Sequence, residues 1–299
     1  MRKLTFVAAA LVATFALPAG AANITQSGFS PLYLGVDFET ATIPTNPDAS
    51  GNPTTSRAYI ARIDLRAPGI SFVTTPQSGT LNTTSETIAT FAANHKVRLA
   101  INANFFAPCC DAFAEPKTVI GLLVSQGKVV APLSTDPLNS EAVLAITRNN
   151  EAVIAESPAI NLANVYTAVA GSAIIVQNGQ DVSASSPNEG DPADPNPRTV
   201  VGISADGRYL YLAVIDGRVA GYSLGTTNAQ SAALMLAIGC GSALNLDGGG
   251  STEMVRADVI GQPYIVNNPS GGAERFDAAA LGVYAEPLPK FGFPHPFGF

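Results

Sequence analysis

The chain has 299 residues, of which only 13% are charged, and Asp and Glu (23) outnumber Lys and Arg (16), which gives a formal net charge of -7. A soluble domain usually has about 25% charged residues. The hydrophobic content of 46% excludes a disordered chain, and the acidic balance argues against a nucleic-acid partner, which would require a basic surface. The 27 Gly and 22 Pro residues indicate a strand-rich protein with many turns.

The amino terminus has the pattern of a secretory signal peptide. Two cations, Arg2 and Lys3, precede an apolar run over residues 4–17, and small residues follow at positions 19–21. We therefore expect a signal peptide over residues 1–22, removed on export to a secreted or periplasmic location. The apolar run is shorter than the roughly 20 residues that a membrane helix needs, and we expect no membrane span.

The cysteines are Cys109, Cys110 and Cys240. Neighbouring cysteines rarely bridge each other, because their Cα atoms are about 3.8 Å apart and a disulfide prefers about 5.5 Å. A bond from Cys240 to one of the pair is therefore the favoured expectation, and three free thiols are the alternative. A zinc site is not expected, since no CxxC spacing occurs.

The first predicted elements are strands. Residues 23–57 are rich in Thr, Asn, Pro, Ser and Gly, which predicts a first strand and then an exposed loop. Apolar and charged residues alternate over residues 59–66, which predicts a half-buried strand. Residues 70–73 follow a Pro-Gly turn and would be its partner.

Two capping boxes predict where helices begin, and they are formed by Thr83 with Glu86 and by Thr227 with Gln230. The first helix would span residues 84–95, and the second would end near residue 239. Alternating apolar residues on either side of short turns predict four hairpins, over residues 119–130, 143–154, 173–182 and 200–215. Further strands are predicted at residues 97–101, 243–246 and 280–284.

In two segments the apolar residues show no periodic spacing. Residues 183–197 are acidic and rich in Pro, which predicts a mobile loop within the domain. Residues 287–299 alternate Pro, Gly and Phe and are expected to be a disordered or loosely packed tail.

Two strand ends carry similar polar pairs. Asn102 and Asn104 stand in "AINANFF", and Asn245 and Asp247 stand in "ALNLDGG". Residues two apart in a strand point to the same face, so each end would project two polar groups together. We expect the two ends to converge on one site. The alternative is that the likeness of two short segments is a coincidence.

The sequence "NLDGGGST" is the strongest local signal for chemistry. Three glycines after a strand suit a sharp turn that approaches a ligand closely, and their amides could form an anion-binding nest around the Asp247 carboxylate. A plain tight turn is the alternative. Arg198 and Arg218 stand beside neighbouring strands, and arginine suits phosphate or carboxylate. With two His in the chain, a histidine-based triad is nearly excluded.

At these residues the sequence resembles the phosphodiester glycosidase family. The matching segments are "INANFF", "GSAIIVQNGQ", "PRTVVGISADGRYLYLAVIDGR", "TTNAQSAALMLAIGCGSALNLDGGGSTEMV" and "NPSGGAERFDAAALGVY", within residues 58–284. The resemblance implies an α+β fold with a mixed, strongly curved β-sheet, a few helices and a single catalytic-type domain over residues 58–286. The sequence departs from the family pattern at two positions. Position 104 is Asn here and is often acidic or glycine in the family, and position 253 is Glu here whereas small or hydroxyl residues are common in the family.

The resemblance also implies a secreted glycosidase that removes a sugar linked through its anomeric carbon to a phosphodiester or related glycan. The candidate catalytic residues are Asp247, Asp216, Arg198 and Arg218, with Asp247 favoured as base or nucleophile. The candidate substrate-binding residues are Asn102, Asn104, Thr199, Asn245, Gly248, Gly249, Gly250 and Ser251.

Two alternatives stay open from the residues. One is a non-catalytic protein on the same scaffold that binds glycans or assists exopolysaccharide assembly. The other is a carbohydrate site that uses Ca²⁺ held by oxygens of Asp247 and Asn245, although the sequence requires no cofactor. The expected partner is a carbohydrate or sugar-phosphodiester substrate, and the metal requirement and oligomeric state are left open.

Overall fold

A computed structural model of the protein describes residues 23–45, 54–109, 112–133, 142–185 and 194–289. The predicted signal peptide therefore lies outside the described residues. So do residues 186–193 of the predicted loop and residues 290–299 of the predicted tail.

The described residues form mainly strands, with two α-helices. The strands of the amino-terminal half are β1 (Thr25–Gln26), β2 (Ser30–Tyr33), β3 (Val36–Thr45), β4 (Thr54–Asp64), β5 (Ser71–Thr74), β6 (Thr83–Thr84), β7 (Leu99–Asn102), β8 (Phe106–Ala107), β9 (Pro116–Val119), β10 (Leu123–Ser125) and β11 (Lys128–Ala131). The remaining strands are β12 (Ala142–Thr147), β13 (Ala152–Glu156), β14 (Val165–Gly171), β15 (Ala173–Gln177), β16 (Gln180–Asp181), β17 (Arg198–Ser204), β18 (Tyr209–Ile215), β19 (Cys240–Asn245), β20 (Met254–Ala257), β21 (Pro263–Ile265) and β22 (Ala280–Tyr284). The helices are α1 (Ile88–His95) and α2 (Asn228–Ala237).

These strands form four sheets in the described part of the chain. The largest has the order β1-β3-β4-β18-β17-β19-β15-β16, with β2 paired to β3. Two five-stranded sheets have the orders β11-β10-β14-β12-β13 and β21-β20-β7-β22-β5, and a small sheet has the order β6-β9-β8. The fold is a single domain dominated by a curled half-barrel sheet. Every pair between described strands is antiparallel, so the expectation of one mixed sheet is corrected to several antiparallel sheets.

The helices cover the outer faces of two sheets. Ile88 and Phe91 of α1 pack against Ala100 and Val255 of the sheet that contains β7. Leu234 and Met235 of α2 belong to a second cluster, which lies on the largest sheet. The largest apolar cluster joins residues from β4, β7, β12, β18, β19 and β22. This cluster therefore fixes the relative positions of the two sheets that contain β7 and β19.

The predicted hairpins are confirmed. The pairs are β10 with β11, β12 with β13, β15 with β16, and β17 with β18. The capping box at the second helix is also confirmed, since the Thr227 hydroxyl accepts from the Gln230 amide and the Gln230 side chain accepts from the Thr227 amide. These elements depend on residues close together in sequence, which is why local patterns predicted them.

Three local expectations are wrong. Residues 36–45 form the long strand β3, where an exposed loop was expected. Residues 71–74 pair with β22 and not with β4, because both edges of β4 are already occupied by β3 and β18. The first helix begins later than predicted, and its N-cap is Thr87, whose hydroxyl accepts from the Thr90 amide. Thr83 instead pairs in a strand with Lys117.

The expected bond to Cys240 is also wrong. Cys109 is disulfide-bonded, whereas Cys240 is a free cysteine with only 3% exposure. It opens β19 and packs with Tyr211 and Met235 beneath α2. Burial raises the pKa of the Cys240 thiol well above its ordinary value, so this thiol is an apolar core group.

Candidate functional site

The ends of β7 and β19 meet, although the two strands belong to different sheets. The Asn102 side-chain amide donates to the Asp247 carbonyl at 2.7 Å. The Asp247 amide donates to the Ala103 carbonyl at 3.0 Å. The two strand ends therefore meet, as expected, and these contacts fix the backbone of Asp247 from both sides. The two ends do not form one shared site, because Asn245 and Asp247 line the cavity described below whereas Asn102 and Asn104 do not.

A cavity of about 480 Å³ opens at this junction. Its wall contains the predicted residues Arg198, Arg218, Asn245, Asp247, Gly248, Gly249 and Gly250. It also contains Asn196 and Arg275, which the sequence did not single out. Three arginines around one carboxyl give the cavity a local positive charge in a chain whose net charge is -7. Such a cavity suits an anionic ligand.

The glycines of the turn make room for two guanidinium groups. Gly249 has a φ of +61°, which side chains other than glycine rarely adopt. A Cβ atom at Gly249 would lie 3.1 Å from the guanidinium of Arg218, and one at Gly250 would lie 2.2 Å from Nη2 of Arg275. The backbone at these positions must therefore remain bare for both arginines to reach the cavity.

The expectation of an anion nest built from all three glycine amides is wrong. The Gly248 amide donates to Oδ1 of Asp247 at 2.8 Å, and the Gly249 amide donates to the Pro197 carbonyl at 2.9 Å. These two donors already have partners inside the protein. Positive charge in the cavity therefore comes mainly from the arginine side chains.

The environment of Asp247 changes its ionisation. Burial raises its pKa from 3.8 to about 6, opposed by hydrogen bonds from Ser251 and the Gly248 amide and by the charge of Arg275. The carboxylate is therefore mostly ionised at neutral pH and takes up a proton near pH 6. A group with such a pKa can accept a proton at neutral pH.

Arg198 and Arg218 differ in solvent exposure and in their hydrogen-bond partners. Arg198 is 7% exposed, and it donates from Nε to the Thr226 carbonyl and from Nη2 to the Asp194 carbonyl. It therefore ties two loops together at the cavity edge. Arg218 is exposed and donates twice to Oδ1 of Asn196, at 3.2 and 2.8 Å. That fork holds its guanidinium against the glycine turn.

Four predicted binding residues are buried beneath the cavity and do not line it. Oδ1 of Asn102 accepts from the Thr199 hydroxyl at 2.6 Å and from the Glu253 amide at 3.2 Å. The Asn104 side chain donates to the carbonyls of residues 120 and 122. These contacts make Asn102, Thr199 and Asn104 parts of the framework, and Ser251, also buried, accepts from Arg275 at 3.3 Å.

Asp216 is also buried outside the cavity wall, with 1% exposure. Its carboxylate accepts from Tyr222 at 2.9 Å, and from the Asn267 side chain and the Asn268 amide, both at 3.0 Å. Burial raises its pKa, and these three hydrogen bonds and Arg57 oppose the increase. Asp216 therefore holds the loop at residues 267 and 268 against the end of β18.

The sequence patterns did not indicate Arg275 or Asp277, and they indicated Glu253 only as a departure from the family pattern, not as a buried acid near Asp247. Arg275 lies in "NPSGGAER", and the scarcity of cations in the chain is the signal that could have drawn attention to it. Glu253 and Asp277 are 2% and 4% exposed. The short segments that hold these acids lie far apart in sequence, so no local pattern brings them together.

No metal centre is evident in the described ranges. No group of three or more His, Cys, Asp or Glu side chains among them is arranged to hold a metal ion. The side-chain nitrogen Nδ2 of Asn245, the residue considered for Ca²⁺ together with Asp247, donates to the Ser172 hydroxyl and to the Leu246 carbonyl. No helix in this part of the chain is long and apolar enough to cross a bilayer.

The sequence matches the family model of phosphodiester glycosidases over residues 95–284. The matched segment is more than half of the chain and contains β7, the glycine turn and Arg275. The chain therefore belongs to the phosphodiester glycosidase family. Membership supports a hydrolase of the glycosidase type with a glycan as its class of substrate. No curated protein matches the sequence significantly.

Three solved structures share the fold. The catalytic domain of zebrafish N-acetylglucosamine-1-phosphodiester alpha-N-acetylglucosaminidase, auto-inhibited by its pro-peptide, has a TM-score of 0.65 at 18% identity and covers 88% of each chain. A hypothetical protein from Synechocystis has a TM-score of 0.57 at 16% identity, over 83% of this chain and 62% of that chain. A Burkholderia pseudomallei protein described as exported has a TM-score of 0.61 at 16% identity, over 90% and 98%.

Proposed function

We propose that this protein hydrolyses the bond between the anomeric carbon of a sugar and a phosphodiester or related phosphate group. The observation that carries the proposal is the position of one carboxyl, Asp247, under the arginines of a single cavity. A phosphate-linked sugar needs both features, since its phosphate is an anion and its anomeric carbon reacts through a positively charged, oxocarbenium-like transition state. Membership of the phosphodiester glycosidase family supports the same substrate class.

The arginines bind the phosphate in this proposal. Arg218 and Arg275 pack on the glycine turn and face the cavity, and a guanidinium can hold two phosphate oxygens at once. Their charge also stabilises the negative charge that the phosphate gains as it leaves. A strongly acidic leaving group needs little protonation, so the site requires no dedicated acid next to the phosphate.

Asp247 acts on the opposite side of the sugar, as base or nucleophile. As a base, its carboxylate takes a proton from water while the water oxygen bonds to the anomeric carbon. The carbon–oxygen bond to phosphate breaks at the same time, and its electron pair leaves on the phosphate oxygen. The products are the free sugar and a phosphate monoester, and the proton stays on Asp247. A pKa of about 6 leaves the carboxylate ready for this step at neutral pH.

Export of the protein is part of the proposal. The basic start, apolar run and small residues of the first 22 positions support a cleaved signal peptide. The fold relative from Burkholderia pseudomallei is described as exported. The disulfide at Cys109 fits an oxidising compartment. The amino-terminal sequence of protein recovered from the periplasm or medium tests this point, and a protein that still begins at Met1 would contradict it.

The experiment that tests the function is hydrolysis in water enriched in ¹⁸O. Purified protein is incubated with an N-acetylglucosamine-1-phosphate diester, and with a bis-aryl phosphate that lacks a sugar as the control. We expect release of free sugar that carries ¹⁸O, unlabelled phosphate monoester, and no cleavage of the control. Label in the phosphate would indicate a phosphodiesterase instead. Binding of the sugar diester without turnover would favour the alternative of a glycan-binding or exopolysaccharide-assembly protein.

A further inference from the structure

The hairpin formed by β20 and β21 projects two aliphatic side chains into solvent at its tip. Val259 is 102% exposed and Ile260 is 78% exposed. Single apolar residues are common on protein surfaces, whereas adjacent ones that form a patch indicate a contact surface. The proposed reaction does not use this tip, because the glycine turn that lines the cavity precedes β20 and the tip follows it.

Hydrogen bonds fix the shape of the tip. The Asp258 amide donates to the Gln262 carbonyl at 2.8 Å, and the Gly261 amide donates to the Asp258 carbonyl at 3.0 Å. Oδ1 of Asp258 accepts from the amides of Ile260 and Gln262, both at 2.9 Å. Asp and Gly suit the first and fourth positions of such a turn, whereas Val and Ile are unusual at its centre. The aliphatic side chains are therefore presented by a rigid turn, which loses little conformational entropy when it binds a partner.

Two arginines and a tyrosine lie at the base of the tip. The Arg256 guanidinium lies 5.0 Å from the ring centroid of Tyr264 and 5.3 Å from that of Phe38, and its Nε donates to the Tyr264 hydroxyl. A Cβ atom at Gly261 would lie 3.7 Å from Nη1 of Arg98, so this second guanidinium reaches the turn. The hairpin is therefore apolar at its end, with cations and an aromatic hydroxyl behind that end.

This order of groups matches the layers of a phospholipid surface. Aliphatic side chains favour the acyl region, tyrosine rings favour the level of the headgroups, and arginine binds phosphate. The net charge of -7 does not prevent approach to an anionic surface, because salt screens charges that are more than about 10 Å away and the nearby cations then dominate. A protein groove could also cover two aliphatic residues, but the cations beside them favour a surface of phosphates.

We propose that the tip of the β20–β21 hairpin docks the protein onto the surface of an anionic phospholipid bilayer, without spanning it. Val259 and Ile260 enter the boundary of the acyl chains, and Arg98 and Arg256 bind lipid phosphates. The cavity lies at the other end of β20, so docking leaves it open to substrate. The inference goes beyond the proposed function, because lipid binding requires no sugar diester and no turnover.

A tryptophan at the tip tests the docking directly, because the chain contains no Trp of its own. The exported chain that begins at residue 23 is used, so that the apolar run over residues 4–17 cannot itself bind lipid. Ile260→Trp is mixed with vesicles of phosphatidylcholine that contain about one third phosphatidylglycerol. We expect its emission to shift to the blue and to be quenched by brominated acyl chains. Val129→Trp, at a position on β11 that is 48% exposed, should show neither change.

Sedimentation with the same vesicles measures what each side chain contributes. The double variant Val259→Ser with Ile260→Ser should lower the partition coefficient at least about tenfold, and Val129→Ser should leave it unchanged. Arg98→Gln should lower it about fivefold on the anionic vesicles and should have no effect on pure phosphatidylcholine. Thermal unfolding of each variant shows whether the fold is kept.

Three results would overturn the inference. Emission of Ile260→Trp that does not change with anionic vesicles would mean that the tip does not enter lipid. Equal partition of the double variant and the unaltered protein would mean that another surface binds the vesicles. Emission that is already shifted to the blue without lipid, and that changes with protein concentration, would mean that a second copy of the chain covers the tip. Because no turnover is measured, a failure of the proposed reaction would not be mistaken for any of these results.

Discussion

The two polar strand ends have similar sequences and different uses. After β7, Asn102 and Asn104 point into the protein and bind the backbone of Asp247 and the carbonyls of residues 120 and 122. After β19, Asp247 faces the cavity. The next residues along the chain make the difference, because Phe106 packs into the core whereas the glycine turn leaves room for Arg218 and Arg275. One strand end is therefore a support and the other carries the reactive group.

The largest expected effect is a loss of activity at the end of β19, which contrasts with a loss of stability at the end of β7. Asp247→Asn keeps the shape of the side chain and removes its charge, so we expect kcat to fall by about 10³-fold with little change in Tm. Asn104→Ala should instead lower the stability by about 1–3 kcal/mol, because two buried carbonyls lose their donor. Steady-state kinetics and thermal unfolding of both variants measure these effects.

Asp37→Asn is the matched control, since Asp37 is paired with Arg62 away from the cavity. Its kcat should equal that of the unaltered protein. The division between support and reactive group would be wrong if Asp247→Asn kept full activity, or if Asn104→Ala lost activity while its Tm was unchanged.

The next largest effect, a tenfold to hundredfold change in KM, is expected at Arg275, which packs on the glycine turn after β19. Arg275→Ala removes a guanidinium that packs on Gly250 and lines the cavity, so KM for the sugar diester should rise roughly 10- to 100-fold. The exposed Arg66→Ala is the control with the same loss of charge. Calorimetric titration with inorganic phosphate gives the same comparison without turnover. Equal affinity in the two variants would exclude Arg275 from the phosphate site.

The smallest expected effect concerns the acids behind the β19 end. Burial, Glu274 and Asp277 raise the pKa of Glu253 from 4.5 to about 9. The folded protein therefore keeps a proton that the unfolded chain releases, and stability must fall as pH rises from about 4.5 toward 9. Glu253→Gln removes this dependence and should stabilise the protein at pH 8 by roughly 1–3 kcal/mol.

Urea unfolding at pH 5 and pH 8 measures this effect, with the exposed Glu151→Gln as control. The gain in Glu253→Gln should be larger at pH 8 than at pH 5, and the control should show no such difference. A loss of stability in Glu253→Gln at pH 8 would show that the charged form of Glu253 is favoured in the folded protein.

The fold could be predicted from sequence where short-range contacts determine it. The hairpins and the Thr227 cap depend on residues within one turn of each other, and alternation or capping residues indicate them. The partner of β5 could not be predicted in this way, because it lies about 200 positions away and depends on which edges of other strands are free. The first helix was misplaced because a second threonine, Thr87, offered an equally good cap.

The same limit applies to the site. The sequence patterns indicated Asp247, Arg198 and Arg218 as candidate site residues, and these three residues line one cavity. The role of the glycines could not be predicted, since their need for space arises from Arg218 and Arg275, which approach from other segments. Asp216 stands after an apolar strand as Asp247 does, and only its three hydrogen bonds reveal it as an anchor.

The most direct test of the central claim is a crystal structure of the Asp247→Asn variant with an uncleaved sugar-1-phosphodiester. We expect phosphate oxygens within about 3 Å of the guanidinium groups of Arg218 and Arg275. We also expect the anomeric carbon to lie next to the side chain at position 247. A diester bound in another cavity, or one whose phosphate lies away from both arginines, would mean that this cavity does not bind the substrate in the proposed way.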